Sequence, residues 1–245
     1  MHMIELALDP SALTRLAWRQ GHQAGRNRGD DDFGYATHAW LAAAFGPHAP
    51  RPFRLLETRS GLRLLGYANV QADVLAAHAR DFAYPEACAV CDWSTAASKP
   101  MPTDWSPGRR LGFEVRACPI RRGERERDVY LVALEQAKAS GGEPASRAEV
   151  YVHWLIRQFE HEGAARVKAE NVALTGFRRM HALRQSRATQ APRHHPVERP
   201  DALFSGDLLV ADPAAFARLL ARGIGRHRAF GFGMLLLRPP STRSL

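Results

Sequence analysis

The sharpest constraint on how this chain folds lies near its end, in Gly223-Ile224-Gly225-Arg226-His227-Arg228-Ala229-Phe230-Gly231-Phe232-Gly233. Four glycines in eleven residues leave the backbone bare of side chains, between a helix pattern and an apolar run. Before the segment, Pro213 to Arg222 reads as an amphipathic helix with Phe216, Leu219 and Leu220 on one face. After it, an apolar run makes Phe230 to Leu237 the expected last strand. Main-chain N–H groups in a bare loop can cradle a phosphate, and arginine pairs with phosphate through two N–H groups. Gly223, Gly225, Gly231 and Gly233, with Arg226, His227 and Arg228, are therefore candidate contacts to the backbone of a polyanion.

The charge agrees with such a partner. The net charge is +9 and the pI about 10.2 over 245 residues, which favours an anionic ligand. The bases are nearly all arginine, with lysine only at Lys99, Lys138 and Lys168. Arginine forks onto phosphate and stacks on bases, although a GC-rich genome also favours it. The three cysteines, Cys88, Cys91 and Cys118, are an odd and low number that fits a reducing compartment, and a cytoplasmic location is expected. Cys88 and Cys91 have C-x-x-C spacing but no second pair, so they read as small residues near a turn rather than a zinc or redox site. No apolar run approaches the ~18 residues a membrane helix needs, so no membrane partner is expected. His153, Glu160, His161 and Glu162 read as a solvated helix face. No metal site and no cofactor are expected.

Along the chain, Met3 to Leu8 is a strand candidate, with Asp9 or Ser11 as cap of a following helix and Pro10 in its first turn. Ser11 to Gly29 carries Arg15, Arg19, Arg26 and Arg28 and no acid. Tyr35 to Phe45 reads as a helix with Trp40, Leu41, Ala44 and Phe45 inward, stopped by Gly46-Pro47. Pro52 to Glu57 and Leu62 to Ala68 form an expected hairpin, and Val70 to Arg80 a helix. Asp81 to Gly108 reads as loop, and the domain boundary is placed near residue 105. Leu111 to Ile120 is a strand, Arg121 to Asp128 a charged turn, Arg147 to His161 an amphipathic helix, and Arg166 to Met180 an extended segment. Gly176 to Arg199 reads as a basic loop with six arginines against Glu198, and Leu203 to Ala211 as a strand. Each half thus reads roughly as strand, helix, two strands, helix and, in the second half most clearly, a final strand. That order fits an α+β chain of two tandem ferredoxin-like (RRM-like) domains, 1–105 and 106–245, with a basic helical insertion in the first and the Gly-rich and basic loops in the second.

Several segments in this order resemble the CRISPR repeat-RNA-processing endoribonucleases, nearest the CasE subfamily of type I-E systems and the similar processing nucleases of type IV systems. Leu111-Gly112-Phe113-Glu114-Val115-Arg116-Ala117-Cys118-Pro119-Ile120 is similar to a family strand that ends in a small residue and proline. Trp154-Leu155 followed by Ala164-Ala165-Arg166-Val167 is similar to the family's helix and next strand. Leu203-Phe204-Ser205-Gly206-Asp207-Leu208-Leu209-Val210 resembles its F-x-G-x-L-x-V segment, and Gly223 to Gly233 its Gly-rich loop. The resemblance covers most of the chain and is strongest after residue 107. It implies two ferredoxin-like domains, metal-independent cleavage at the base of a repeat-RNA hairpin, retention of the product, and entry into a multi-subunit CRISPR effector complex.

The family places a histidine on its first helix, often with a tyrosine one turn earlier. Tyr35-Ala36-Thr37-His38 has that spacing, and Trp40 and Phe45 stand where the family has a W…F pair. Asp9 to Phe33 departs from the family, whose first strand leads quickly into this helix. As an extra RNA-gripping finger, this basic insertion could supply an arginine or His22 in place of His38, and it leans the resemblance toward the type IV relatives. RNA cut by its own 2′-OH needs proton transfer to and from the reacting oxygens, which histidine suits near neutrality. His38 is the leading candidate and His22 the alternative. Tyr35 would orient the phosphate or aid proton movement, and Arg19, Arg26 or Arg28 would stabilise the developing charge. Arg19, Arg28, Arg178, Arg179, Arg184, Arg187 and Arg193 are candidate contacts to the RNA backbone, with His194-His195 beside them. Phe230 and Phe232 are assigned to the core. A catalytically weak RNA-binding subunit of the same fold is the alternative function.

Overall fold

The protein is described by a computed structural model over residues 1–19, 32–161, 163–184 and 195–241, with Asp32, 181–184 and 195–197 described in backbone only. It divides into two compact units. The first is Met1–Trp105 with Ala217–Leu235, and the second is Ser106–Phe216 with Leu236–Leu245. Among the described residues no helix is long and apolar enough to cross a membrane.

The first unit begins with β1 (His2–Leu8), in which Ile4, Leu6 and Leu8 are buried on one face, the period of two that a half-buried strand requires. The Asp9 carboxylate then accepts from the N–H groups of Ser11 (2.7 Å) and Ala12 (3.2 Å) and so caps α1 (Pro10–Arg19). The helix buries Ala12, Leu13, Leu16 and Ala17. The first part of the segment expected to be a basic insertion is therefore a core helix that turns only its opposite face, with Arg15 and Arg19, to water. There follow α2 (Asp32–Phe45), the hairpin β2 (Phe53–Thr58) and β3 (Gly61–Ala68), α3 (Ala72–Phe82), a short α4 (Pro85–Cys88) and β4 (Cys91–Pro100). The sheet order is β2-β3-β1-β4, with every neighbouring pair antiparallel. This is a ferredoxin-like module, and α2 is held in its core by Trp40, Leu41, Ala44 and Phe45. The Trp40 indole N–H donates to the Ala87 carbonyl (2.9 Å), which satisfies the one polar atom of a fully buried ring.

β4 lies where the sequence suggests loop. It is an edge strand with most of its side chains in water, so it lacks the alternating apolar pattern; pairing with β1 makes it a strand.

The second unit contains β5 (Arg110–Ala117), the hairpin β6 (Ile120–Arg122) and β7 (Glu126–Asp128), α5 (Val129–Ser140), α6 (Arg147–Glu160), β8 (Ala165–Arg166), β9 (Val172–Arg184) and β10 (His195–Val210). Helix α7 (Pro213–Arg222) and β11 (Leu235–Arg238) straddle the division between units. The sheet runs β11-β5-β10-β8, with β9 also on β10, which is the ferredoxin-like order again. Phe113 from β5, Phe159 from α6 and Phe204 from β10 are fully buried, with the rings of Phe113 and Phe159 5.3 Å apart. A capping box, Ser146 with Glu149, starts α6.

Three further segments differ from the sequence reading. The stretch 176–199, expected as a basic loop, is part of a ribbon in its described portion: β9 and β10 pair from Val172↔Gly206 out to Arg184↔His195. The charged turn at 121–128 is the hairpin β6–β7. The last strand begins at Leu235 rather than Phe230. Gly231 and Gly233 have φ of 87° and 79°, which no strand accommodates, and Arg228–Phe230 is one turn of 3-10 helix. A Cβ on Gly233 would collide with the carbonyl oxygen of Ile224, and the Ile224 N–H donates to the Gly233 carbonyl (2.8 Å).

Candidate active site

Helix α2 is built so that one turn of its surface carries chemistry while the rest is core. Ala36, Thr37 and Trp40 are buried. Tyr35 and His38, three residues apart and so on one face, are half-buried. Their ring centroids are 6.5 Å apart at 68°.

The Gly-rich loop, expected in the second half, belongs to the first unit, where it meets this face. The Phe230 ring stacks on Tyr35 (5.7 Å, 9° between planes) and lies edge-on to His38 (5.2 Å, 68°). The His227 ring is 6.2 Å from the same phenyl group. Four half-buried rings, two of them imidazoles, thus share one wall. Gly34 makes the approach possible. A Cβ there would stand 2.7 Å from the Phe230 carbonyl oxygen. The loop is held by a Phe230 N–H donation to the His227 carbonyl (2.8 Å) and an Arg228 donation to the Arg222 carbonyl (3.0 Å) at the end of α7. The buried Tyr67 hydroxyl donates to the Leu235 carbonyl (2.7 Å) and ties down the exit from the loop.

The glycines of the loop serve its closure. Gly223, Gly231 and Gly233 are buried, and the Gly223 N–H donates to the Leu219 carbonyl (2.7 Å). Gly225 is half-buried and Arg226 exposed, so the tip of the loop, at 225–228, is its accessible part. Phe232 is in the core, as expected, whereas Phe230 is part of the site.

The remaining candidates divide. Arg19 is exposed and forms an ion pair with Glu86. Arg178 lies on β9, where its Nε donates to Asp201 (2.6 Å); the same carboxylate takes a two-pronged pair from Arg116 (2.7 and 2.8 Å). Arg179 is 3.6 Å from Glu198, and Arg199 is 3.5 Å from Glu126. Asp201 and Glu126, from outside the stretch, and Glu198, within it, therefore pair with three of its arginines. Burial raises the Asp201 carboxyl, but the hydrogen bonds and charges of Arg116 and Arg178 outweigh it and hold the group below the usual carboxylate range. Arg184 is described in backbone only, on β9. His22, Arg26, Arg28, Arg187, Arg193 and His194 lie outside the described residues, and His195 has only its backbone described.

The cysteines are free. Burial, with Asp92 adding to it, pushes the Cys91 thiol up to about 12. Burial likewise pushes Cys118 up to about 12. Thiols held so far from ionisation are poor nucleophiles at neutral pH. Among the described residues no three His, Cys, Asp or Glu side chains converge as metal ligands would.

Two site residues escaped the sequence reading. Phe230 was hidden by its hydrophobicity. Gly34 sits just before the helix expected from Tyr35, where a glycine reads as a boundary rather than as the close approach it serves.

A family model described as CRISPR-associated protein matches residues 1–239 of this chain. The CRISPR-associated endoribonuclease Cse3 of Thermus thermophilus is 28% identical over 144 residues, which are 58% of this chain and 61% of that relative. The match thus spans less than two thirds of the curated relative's length. Among solved structures, CRISPR endoribonuclease Cse3 bound to a 19-nucleotide RNA is similar over 98% of this chain and 100% of that one, with a TM-score of 0.62 and 22% identity. The CRISPR-associated protein Cas6e from Escherichia coli K-12 is similar over 98% and 100%, with a TM-score of 0.58 and 21% identity. At such identities the structural likeness is one of fold.

Proposed function

This chain belongs to the CRISPR-associated protein family, and on that footing we propose that it is an endoribonuclease that cuts CRISPR precursor RNA at the base of the repeat hairpin. The cut is made by the RNA's own 2′-OH, without a metal ion. The product stays bound and passes into a multi-subunit effector complex. The observation that carries this reading is the placement of Tyr35 and His38 against a loop in which Arg226 is exposed and Gly225, His227 and Arg228 are half-buried. The kinship to an endoribonuclease named Cse3, and the likeness in fold to a Cse3 structure with a 19-nucleotide RNA bound, support it.

The chemistry follows from those groups. The scissile phosphodiester lies beside the half-buried Tyr35–Phe230 pair. His38 exchanges a proton with one of the two reacting oxygens, since an imidazole changes charge near neutral pH. The Tyr35 hydroxyl donates to a non-bridging phosphate oxygen and orients it. Arg226 faces the charge that builds on the phosphorane. The net charge of +9 draws the hairpin in, and double-stranded RNA is held through its phosphates and shape.

Incubating the purified protein with a repeat hairpin RNA in EDTA tests the reading. The expected result is a single cut at the hairpin base, with a 2′,3′-cyclic phosphate on one side of it and a 5′-OH on the other. Tight binding with no cut would instead make the chain a guide-RNA-binding subunit. A cut that needs a divalent ion would remove the mechanism.

A further inference from the structure

His227 is the one non-glycine residue at positive φ among the described residues, at φ 61° and ψ 25°. That backbone region is unfavourable for a side chain and comfortable for glycine. The neighbouring loop positions Gly223, Gly225, Gly231 and Gly233 are all glycine at positive φ, from 71° to 87°. At 227 alone the chain keeps an imidazole in the same conformation. Strain of this kind is retained where the side chain is needed.

What the imidazole faces gives it a task. His227 and His38 border the same Phe230 ring, one on the loop and the other on α2, with ring centroids 6.2 and 5.2 Å from it. Cleavage by a 2′-OH requires two proton transfers, at oxygens on opposite sides of the phosphorus, and a single imidazole in place for one is not in place for the other. We propose that His227 is the second proton-transfer group of the site, paired with His38 across Phe230. This rests on the nuclease reading above and adds a residue to it.

The step balances within the pair. One imidazole enters neutral and takes the 2′-OH proton as the O2′–P bond forms. The other enters protonated and gives its proton to O5′ as the P–O5′ bond breaks. A 2′,3′-cyclic phosphate and a 5′-OH result, and the two imidazoles have exchanged protonation states. Among the elements that touch the 228–230 turn, the ionisable groups with described side chains are Tyr35 and His38 on α2, Arg54 and Glu57 on β2, and Arg218 and Arg222 on α7. Arg226 and Arg228 flank His227 in its own loop.

The test compares wild type, His38→Ala, His227→Ala and His227→Gly in single-turnover cleavage at saturating protein across pH, with hairpin affinity measured separately. Glycine suits the backbone at 227, so His227→Gly folds without strain. Both His227 variants are expected to cleave at least roughly a hundredfold more slowly, to bind the hairpin as wild type does, and to lose one limb of a bell-shaped pH–rate profile. A substrate with sulfur in place of the scissile O5′ has a leaving group that needs no proton. It restores whichever histidine variant lacks the proton donor and leaves the other slow, and either assignment supports the pair. The proposal is overturned if His227→Gly cleaves within about threefold of wild type or keeps both limbs. It is also overturned if that variant's whole defect is in affinity, because His227 is then a phosphate contact. A wild type that cuts no hairpin RNA takes down the nuclease reading itself, an outcome distinct from His227 variants that cleave as an active wild type does.

Discussion

Gly34→Ala separates the placement of the site from the stability of the fold. The added Cβ would lie 2.7 Å from the Phe230 carbonyl oxygen, where ordinary contact begins at 3.4 Å. Helix α2 and the 228–230 turn must then part by about 0.7 Å, a distance close to the ~1 Å that costs roughly a hundredfold in rate when reacting groups are misplaced. The shift falls on the Tyr35–Phe230 stack and the His38–Phe230 contact. Stability changes less. Overpacking costs about 1–3 kcal/mol, and alanine returns up to about 1 kcal/mol of helix propensity. The expected result is a tenfold or greater loss of hairpin cleavage with a Tm lower by only a few degrees. Single-turnover rates and a thermal melt on the same sample measure both. Ala42→Gly, on the exposed face of the same helix, gives the opposite signature: up to about 1 kcal/mol of lost stability and an unchanged rate. A Gly34→Ala protein that cleaves within twofold of wild type would refute the argument that this contact sets the site.

Other expectations concern the frame. Asp201 holds Arg116 and Arg178, so Asp201→Asn should lower stability by about 3 kcal/mol at pH 7. Its carboxyl is held below the ordinary range, so its contribution is present above the unfolded value of about 3.9 and lost as pH falls through the folded one. Melts of wild type and Asp201→Asn should therefore differ at pH 7 and converge only as pH falls through that lowered folded value; a gap independent of pH would contradict the pairing. With Cys91 and Cys118 buried and raised to about 12, an alkylating agent at pH 8 should modify Cys88 first and the other two only on unfolding. Mass spectrometry of the native protein reads this directly. Arg178→Ala should cost more stability than hairpin affinity, because Asp201 already takes its guanidinium. A large loss of affinity at unchanged Tm would return Arg178 to the RNA surface.

The readable parts of the fold were those in which one periodic face meets one core. Ile4, Leu6 and Leu8 alternate, and Trp154, Leu155 and Phe159 recur at helical spacing, so periodicity alone makes β1 and α6 legible. Partner-dependent elements were not. β4 exists because β1 offers it hydrogen bonds, and α5 carries a weakly segregated face opened by an Asp128 cap that only folding aligns. The basic stretch after Gly176 looked unneutralised because Asp201 and Glu126 lie outside it in sequence and beside it in space. The site followed the same rule. Tyr35 and His38 lie one helical turn apart and were visible locally. Their meeting with Phe230 and His227, nearly two hundred residues later, depends on a Gly-rich loop that joins the first unit rather than the half that encodes it.

The central claim is that this ring cluster serves an RNA that supplies its own nucleophile. A repeat hairpin carrying a single 2′-deoxyribose immediately 5′ of the scissile phosphate tests it most directly. The account predicts that this RNA is bound as tightly as the all-ribose hairpin and remains uncut. Cleavage of the substituted hairpin at the same phosphate would contradict it.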